Sequence, residues 1–162
     1  LAGGTGSNSL DLAMPEGLDG LEPGSPNIAA FHGLYASLSW IEEVGAKKIF
    51  AHEKELTELC IRKLENIRGV QMYIPANPDK QIGVVSFSMD SYNVNEAAGI
   101  LDTDYHIAVR SGYHCAPLIH SYLQDQEYGG TIRASFSWFN TKEQIQILVN
   151  SIQEIMEGQE KR

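Results

Sequence analysis

Between Thr131 and Phe139 apolar and polar residues alternate: Ile132, Ala134, Phe136 and Trp138 fall on one face, Arg133, Ser135 and Ser137 on the other. A period of two specifies a strand that buries one side and leaves the other for polar groups. Thr141 and Gln144 then form a capping-box pair ahead of Ile145, Leu148, Val149, Ile152 and Ile155, which recur at helical spacing. A half-buried strand followed by an amphipathic helix is consistent with helices packed on a small sheet.

The upstream pattern supplies the rest of such a sandwich. Ser25, Pro26 and Asn27 predict a helix start, with Ser25 at the N-cap and Pro26 in the first turn. That helix is expected to run to Val44, with Phe31, Leu34, Leu38 and Ile41 as a buried stripe and Gly45 as the stop. A second helix is expected over 46–67, with Cys60 on its apolar side. Residues 70–74 and 82–89 read as two strands joined by the turn-forming stretch 75–80, a possible hairpin. Asn93 and Glu96 predict a short helix to Leu101, and residues 106–109 a strand leading into a turn. Residues 117–123 read as a helical turn and 124–130 as a mobile polar loop. The sum is an α+β fold, an α/β sandwich of helices on a small mixed or antiparallel sheet whose strand order the pattern leaves open.

The 162 residues, 43% of them hydrophobic, suffice for one packed domain. A formal net charge of -9, with no Lys/Arg cluster, argues against nucleic acid or an anionic membrane as partner. No apolar run reaches membrane-spanning length and no signal-peptide pattern is present, so a cytoplasmic setting with Cys60 and Cys115 as free thiols is the expectation. The Gly-rich start, containing Gly3, Gly4 and Gly6, reads as a linker or the remnant of a preceding larger domain over 1–24, with the small domain over 25–162.

Chemistry concentrates in the run Arg110-Ser111-Gly112-Tyr113-His114-Cys115-Ala116-Pro117. Nearby cations or a hydrogen-bonding imidazole favour a thiolate. Arg110 and His114 are positioned in sequence to supply them, which makes Cys115 a candidate nucleophile or redox thiol. Its alternative is a turn cysteine without function. Cys60 reads as a small core residue. His114, Cys115 and His120 as zinc ligands lack a second half-site, so no metal is assigned. Arg133 is either a solvated arginine or a fork that grips a substrate carboxylate with paired hydrogen bonds. Ser25 is either an N-cap alone or also a phosphate ligand at a helix N-terminus.

The segments Gly3-Gly4-Thr5-Gly6-Ser7, Glu22 to Asn27, Arg110 to His120 and Thr131 to Ile145, in this order, resemble the cysteine desulfurases. These are pyridoxal 5'-phosphate enzymes of the class V aminotransferase group, and the similarity is to the branch of SufS-like enzymes. The resemblance implies the small C-terminal domain of an aspartate-aminotransferase-type fold. It also implies a cofactor held on a lysine that follows a histidine, a pair this chain lacks, so the chain alone is expected to be inactive. By position it makes Cys115 the sulfur-accepting cysteine and Arg133 the substrate-carboxylate ligand. Arg110 borders the active site, His114 supports it, and Ser25 meets the cofactor phosphate of the neighbouring subunit. Tyr113 stands where many relatives carry histidine, so no proton-transfer role is carried over to it.

The implied reaction removes sulfur from L-cysteine, leaving alanine and a persulfide on Cys115. Implied partners are a second subunit in a homodimer and a sulfur-acceptor protein serving iron-sulfur cluster assembly. Selenocysteine lyase or another class V activity, and a non-catalytic sulfur carrier or dimerisation module, are the alternatives.

Overall fold

The computed structural model describes residues 17–21 and 24–159. The Gly-rich start and the expected domain remnant therefore lie largely outside the described residues. Two compact units part between Gly45 and Ala46.

The first unit carries helix α1, Ile28–Val44. Its N-cap is Asn27, whose side chain accepts from the Ala30 amide at 3.0 Å. This corrects the expectation for Ser25: asparagine caps as well as serine, and Pro26 lies before the cap instead of in the first turn. Gly45 ends the helix as expected, its amide donating to Ile41 O. The apolar stripe is present but not buried. Phe31 is 58% exposed, Leu34 57% and Leu38 53%, and no residue of α1 is buried. Periodicity defines an apolar face and does not supply its cover.

The second unit is a four-stranded antiparallel sheet with helices. Its order along the chain is α2 (Ala46–Leu64), β1 (Val70–Tyr73), β2 (Val84–Met89), α3 (Val94–Tyr105), β3 (Arg110–Gly112), α4 (Pro117–Leu123), β4 (Thr131–Ser135) and α5 (Lys142–Gln159). The strand order is β1-β2-β4-β3, so the predicted hairpin of β1 and β2 forms and β4 enters the centre. Val85 faces Ala134 and Phe87 faces Ile132 across β2 and β4. These side chains are buried with Leu56, Cys60 and Leu64 of α2, Leu101 of α3, and Ile145, Val149 and Ile152 of α5. Full burial of a side chain such as Leu56 or Phe87 stabilises the fold by about 1.5–3 kcal/mol. No helix among the described residues is long and apolar enough to cross a membrane.

Period two sends the intervening residues to the opposite face. Tyr73, Ser86, Arg133 and Arg110 align across it through the pairs Tyr73–Ser86, Ser86–Arg133 and Arg110–Arg133.

Two local expectations need correction. The strand predicted over 106–109 forms at Arg110–Gly112, because α3 continues to Tyr105. There His106 adopts a left-handed conformation (φ 56°), and its amide and that of Ile107, the latter at 2.8 Å, donate to Leu101 O. The polar stretch 124–130, read as a loop, contains a 3-10 turn, Gln126–Tyr128, and a fully buried Asp125. Its glycine end has a steric reason. Gly130 (φ 107°) lies against the Gly112 backbone, where an added Cβ would approach Gly112 O to 2.5 Å.

Candidate active site

The sheet's polar face floors a cleft of about 420 Å³. Tyr73, Ser86, Thr131 and Arg133 line it from β1, β2 and β4, and His114, Ala116, Ile119, His120 and Leu123 line it from the turn and α4. Cys115 lies between two of those lining residues and is exposed.

The turn that carries the thiol is unusual. The Ala116 amide donates to Tyr113 O at 2.9 Å, and both central residues have positive φ, 51° at His114 and 59° at Cys115. Those are the features of a type I′ turn, normally populated by Asn-Gly because a Cβ is disfavoured there. Placing two ordinary residues in it costs roughly 1–2 kcal/mol each, a strain that persists only where the surroundings enforce it. Pro117 then starts α4.

His114 is held from below. Its Nε2 lies 3.0 Å from both Thr131 O and Thr131 Oγ1. A carbonyl only accepts, so Nε2 carries the proton and donates. Burial lowers the His114 pKa, and the charges of Arg133, His120 and Arg110 add to this against the raising effect of the Thr131 bond. The ring is thus neutral at pH 7. Its Nδ1 is buried without a hydrogen-bond partner. Of the two cations expected beside the thiol, His114 is therefore not one, and Arg110 is paired in register with Arg133.

Arg133 is half-buried in the cleft, and its Nε is buried without a hydrogen-bond partner. Directly across from it on β3 stands Arg110, which is exposed. Like charges in opposed strand positions repel, and an anion bound there would offset the repulsion and satisfy the guanidinium. Arg133 is thus part-buried instead of lying on a fully exposed sheet face.

Behind the turn, His120 is 2% exposed and Asp125 fully buried, with Nδ1 2.7 Å from Asp125 Oδ2 and Nε2 3.0 Å from Tyr113 O. Both ring nitrogens are thereby engaged by oxygens. No group of three or more metal-ligating side chains is present among the described residues. Asp125 escaped the sequence reading because it lies in a polar, Gly-ended stretch; the only signal was its place five residues after a histidine. Ser25 is exposed, two residues before the α1 cap.

Cys60 is buried in the core, and desolvation pushes its thiol up to about 12. Both cysteines are free.

Residues 11–148 match the family described as Aminotransferase class-V. A probable cysteine desulfurase of Methanothermobacter thermautotrophicus is 37% identical over 134 residues, 83% of this chain and 33% of that protein. A probable cysteine desulfurase of Pyrococcus abyssi is 32% identical, covering 98% of this chain and 39% of that protein. Among solved structures, the apo cysteine desulfurase of Thermococcus onnurineus superposes with a TM-score of 0.82 at 34% identity, over 98% of this chain and 39% of that one. The Escherichia coli cysteine desulfurase CsdA, in an S-sulfonic acid form, superposes with a TM-score of 0.77 at 26% identity, over 97% of this chain and 38% of that one. The chain spans between a third and two fifths of the length of these relatives. The chain, matched by the family model over most of its length, belongs to the class V aminotransferase family, alongside relatives named as cysteine desulfurases.

Proposed function

We propose that this chain supplies the thiol and the carboxylate-binding half of a cysteine desulfurase active site. The observation that carries the reading is the strained, exposed Cys115 turn beside a cleft whose floor holds Arg133 with an unsatisfied guanidinium nitrogen. A thiol nucleophile and a fixed cation are two of the groups that sulfur removal from an amino acid needs from the protein.

In this reading Arg133 binds the L-cysteine carboxylate, and Arg110, opposite it, adds positive potential at the rim. The Cys115 thiolate attacks the substrate sulfur. An S–S bond forms, the substrate C–S bond breaks, and its electron pair stays on carbon, which takes up a proton. L-Cysteine and a thiol thus become alanine and a persulfide, with no outside oxidant. Neutral His114, fixed by Thr131, orients the turn and contributes no competing charge. The exposed persulfide is then open to a sulfur-acceptor protein of iron-sulfur cluster assembly.

Pyridoxal 5'-phosphate would supply the electron sink for the C–S cleavage. Ser25 is compatible with such an anionic group: it is an exposed hydroxyl ahead of the 17-residue helix α1. Ser25 would hold the phosphate of the neighbouring subunit in a homodimer. The Schiff-base lysine would belong to sequence outside this chain, with the small domain over 25–162 including the compact unit 46–162.

The test is alanine release from L-cysteine by the full-length, cofactor-loaded protein. Wild type is expected to release alanine and Cys115→Ser to lose that activity. Undiminished release by C115S, or release from selenocysteine alone, would overturn the assignment.

A further inference from the structure

The Cys115 turn is strained, so something must hold it, and α4 with the loop after it contains a buried polar pair that no step above uses. The turn closes on Tyr113 O. It receives two bonds: the turn's own Ala116 amide at 2.9 Å and His120 Nε2 at 3.0 Å. The Tyr113 ring also packs edge-on against the His120 ring, with centroids 5.1 Å apart and planes at 77°. His120 is held in turn by Asp125, Nδ1 to Oδ2 at 2.7 Å. Asp125 is fixed through its backbone, since its carbonyl accepts from the Tyr128 and Gly130 amides at 3.1 and 3.2 Å. Gly130 leads into β4, the strand that carries Arg133.

We propose that His120 and Asp125 are positioning residues that fix the Cys115 turn relative to Arg133, so that the thiol meets the sulfur of a substrate whose carboxylate Arg133 holds. The inference rests on the desulfurase reading above. Nε2 faces a carbonyl and must donate; one further proton lies between Nδ1 and the carboxylate, whichever of the two holds it. Asp125 therefore keeps Nε2 the donor, as a carboxylate behind an imidazole fixes its tautomer and orientation. A buried pair of this kind is a poor stabiliser, because desolvation offsets its attraction. Its effect falls on the orientation of the turn.

The test uses the full-length, cofactor-loaded protein and two variants. His120→Phe with Asp125→Leu keeps the volume, leaves no charge unpaired and removes the donor to Tyr113 O. Asp125→Asn keeps the donor, since its amide can donate to Nδ1 while Nε2–H stays on Tyr113 O. The double variant is expected to melt within a few degrees of wild type and to keep its KM for L-cysteine within about twofold. Its single-turnover persulfide formation should slow by about tenfold to a hundredfold, the usual cost of misplacing a reacting group. Asp125→Asn should recover most of the rate.

Alkylation of Cys115 by iodoacetamide, which needs no docked substrate, should change by less than about threefold in the double variant, well short of the loss expected from misplacement. A folded double variant with wild-type persulfide formation would overturn the proposal. Should that variant fail to fold, nitrogen NMR of the wild-type His120 ring decides: a protonated Nε2 supports the proposal and an unprotonated one overturns it. Persulfide formation that survives in C115S would instead defeat the desulfurase reading, while the NMR result would still report on the turn.

Discussion

Two cysteines in one chain meet opposite environments, and their chemistry should separate accordingly. Cys60 is in the core with its thiol pushed up to about 12 by burial, whereas Cys115 is exposed. A thiol reagent at pH 8 should modify one cysteine in the native protein, mapped to Cys115, and both after unfolding. Because the folded pKa of Cys60 lies above its ordinary value of 9.0, its contribution to stability is complete below pH 9. It is lost as pH rises toward 12, since the unfolded chain releases that proton first. Denaturant titrations across that range, compared with Cys60→Ala, should show the difference. Arg133 gives the second prediction at this scale. Lysine keeps the charge and loses the fork, so under the proposed function Arg133→Lys in the full-length, cofactor-loaded protein should raise KM for L-cysteine by roughly tenfold to a hundredfold, the worth of a charge-assisted hydrogen-bond pair. An unchanged KM would remove Arg133 from the carboxylate.

At the scale of elements, the crossing of β3 with the start of β4 depends on Gly130. Its positive φ and its approach to the Gly112 backbone leave no room for a methyl group. Gly130→Ala should cost on the order of 2 kcal/mol in denaturant unfolding, from strain and backbone displacement together. It should also disturb the Asp125 carbonyl, which the Gly130 amide binds. The regular elements were legible in the sequence where side-chain period and caps agree. The capping box of Thr141 and Gln144 forms with both bonds in place, at 3.1 and 3.3 Å, and the alternation of β4 places Ile132 in the core and Arg133 in the cleft. What the sequence could not convey depends on partners distant in the chain. The α1 stripe says nothing of its cover. The left-handed His106 that delays β3 has no pattern, and Asp125 reads as loop polarity until the fold places His120 against it.

At the scale of the whole molecule, one sheet separates two tasks: its helix-covered face supplies the core, and its polar face supplies the cleft. The chain spans between a third and two fifths of its relatives' length, and it contains no His-Lys pair. The 162-residue chain by itself should therefore bind no lysine-linked pyridoxal 5'-phosphate and release no alanine. An absorbance band from such a linkage, surviving gel filtration, would refute this. The central claim is that Cys115 receives the sulfur, and peptide mass mapping of the full-length, cofactor-loaded protein after L-cysteine treatment tests it most directly. The Cys115 peptide should gain the mass of one sulfur atom, reversibly by reductant, with the Cys60 peptide unchanged. Alanine release without that gain on Cys115 would contradict the account.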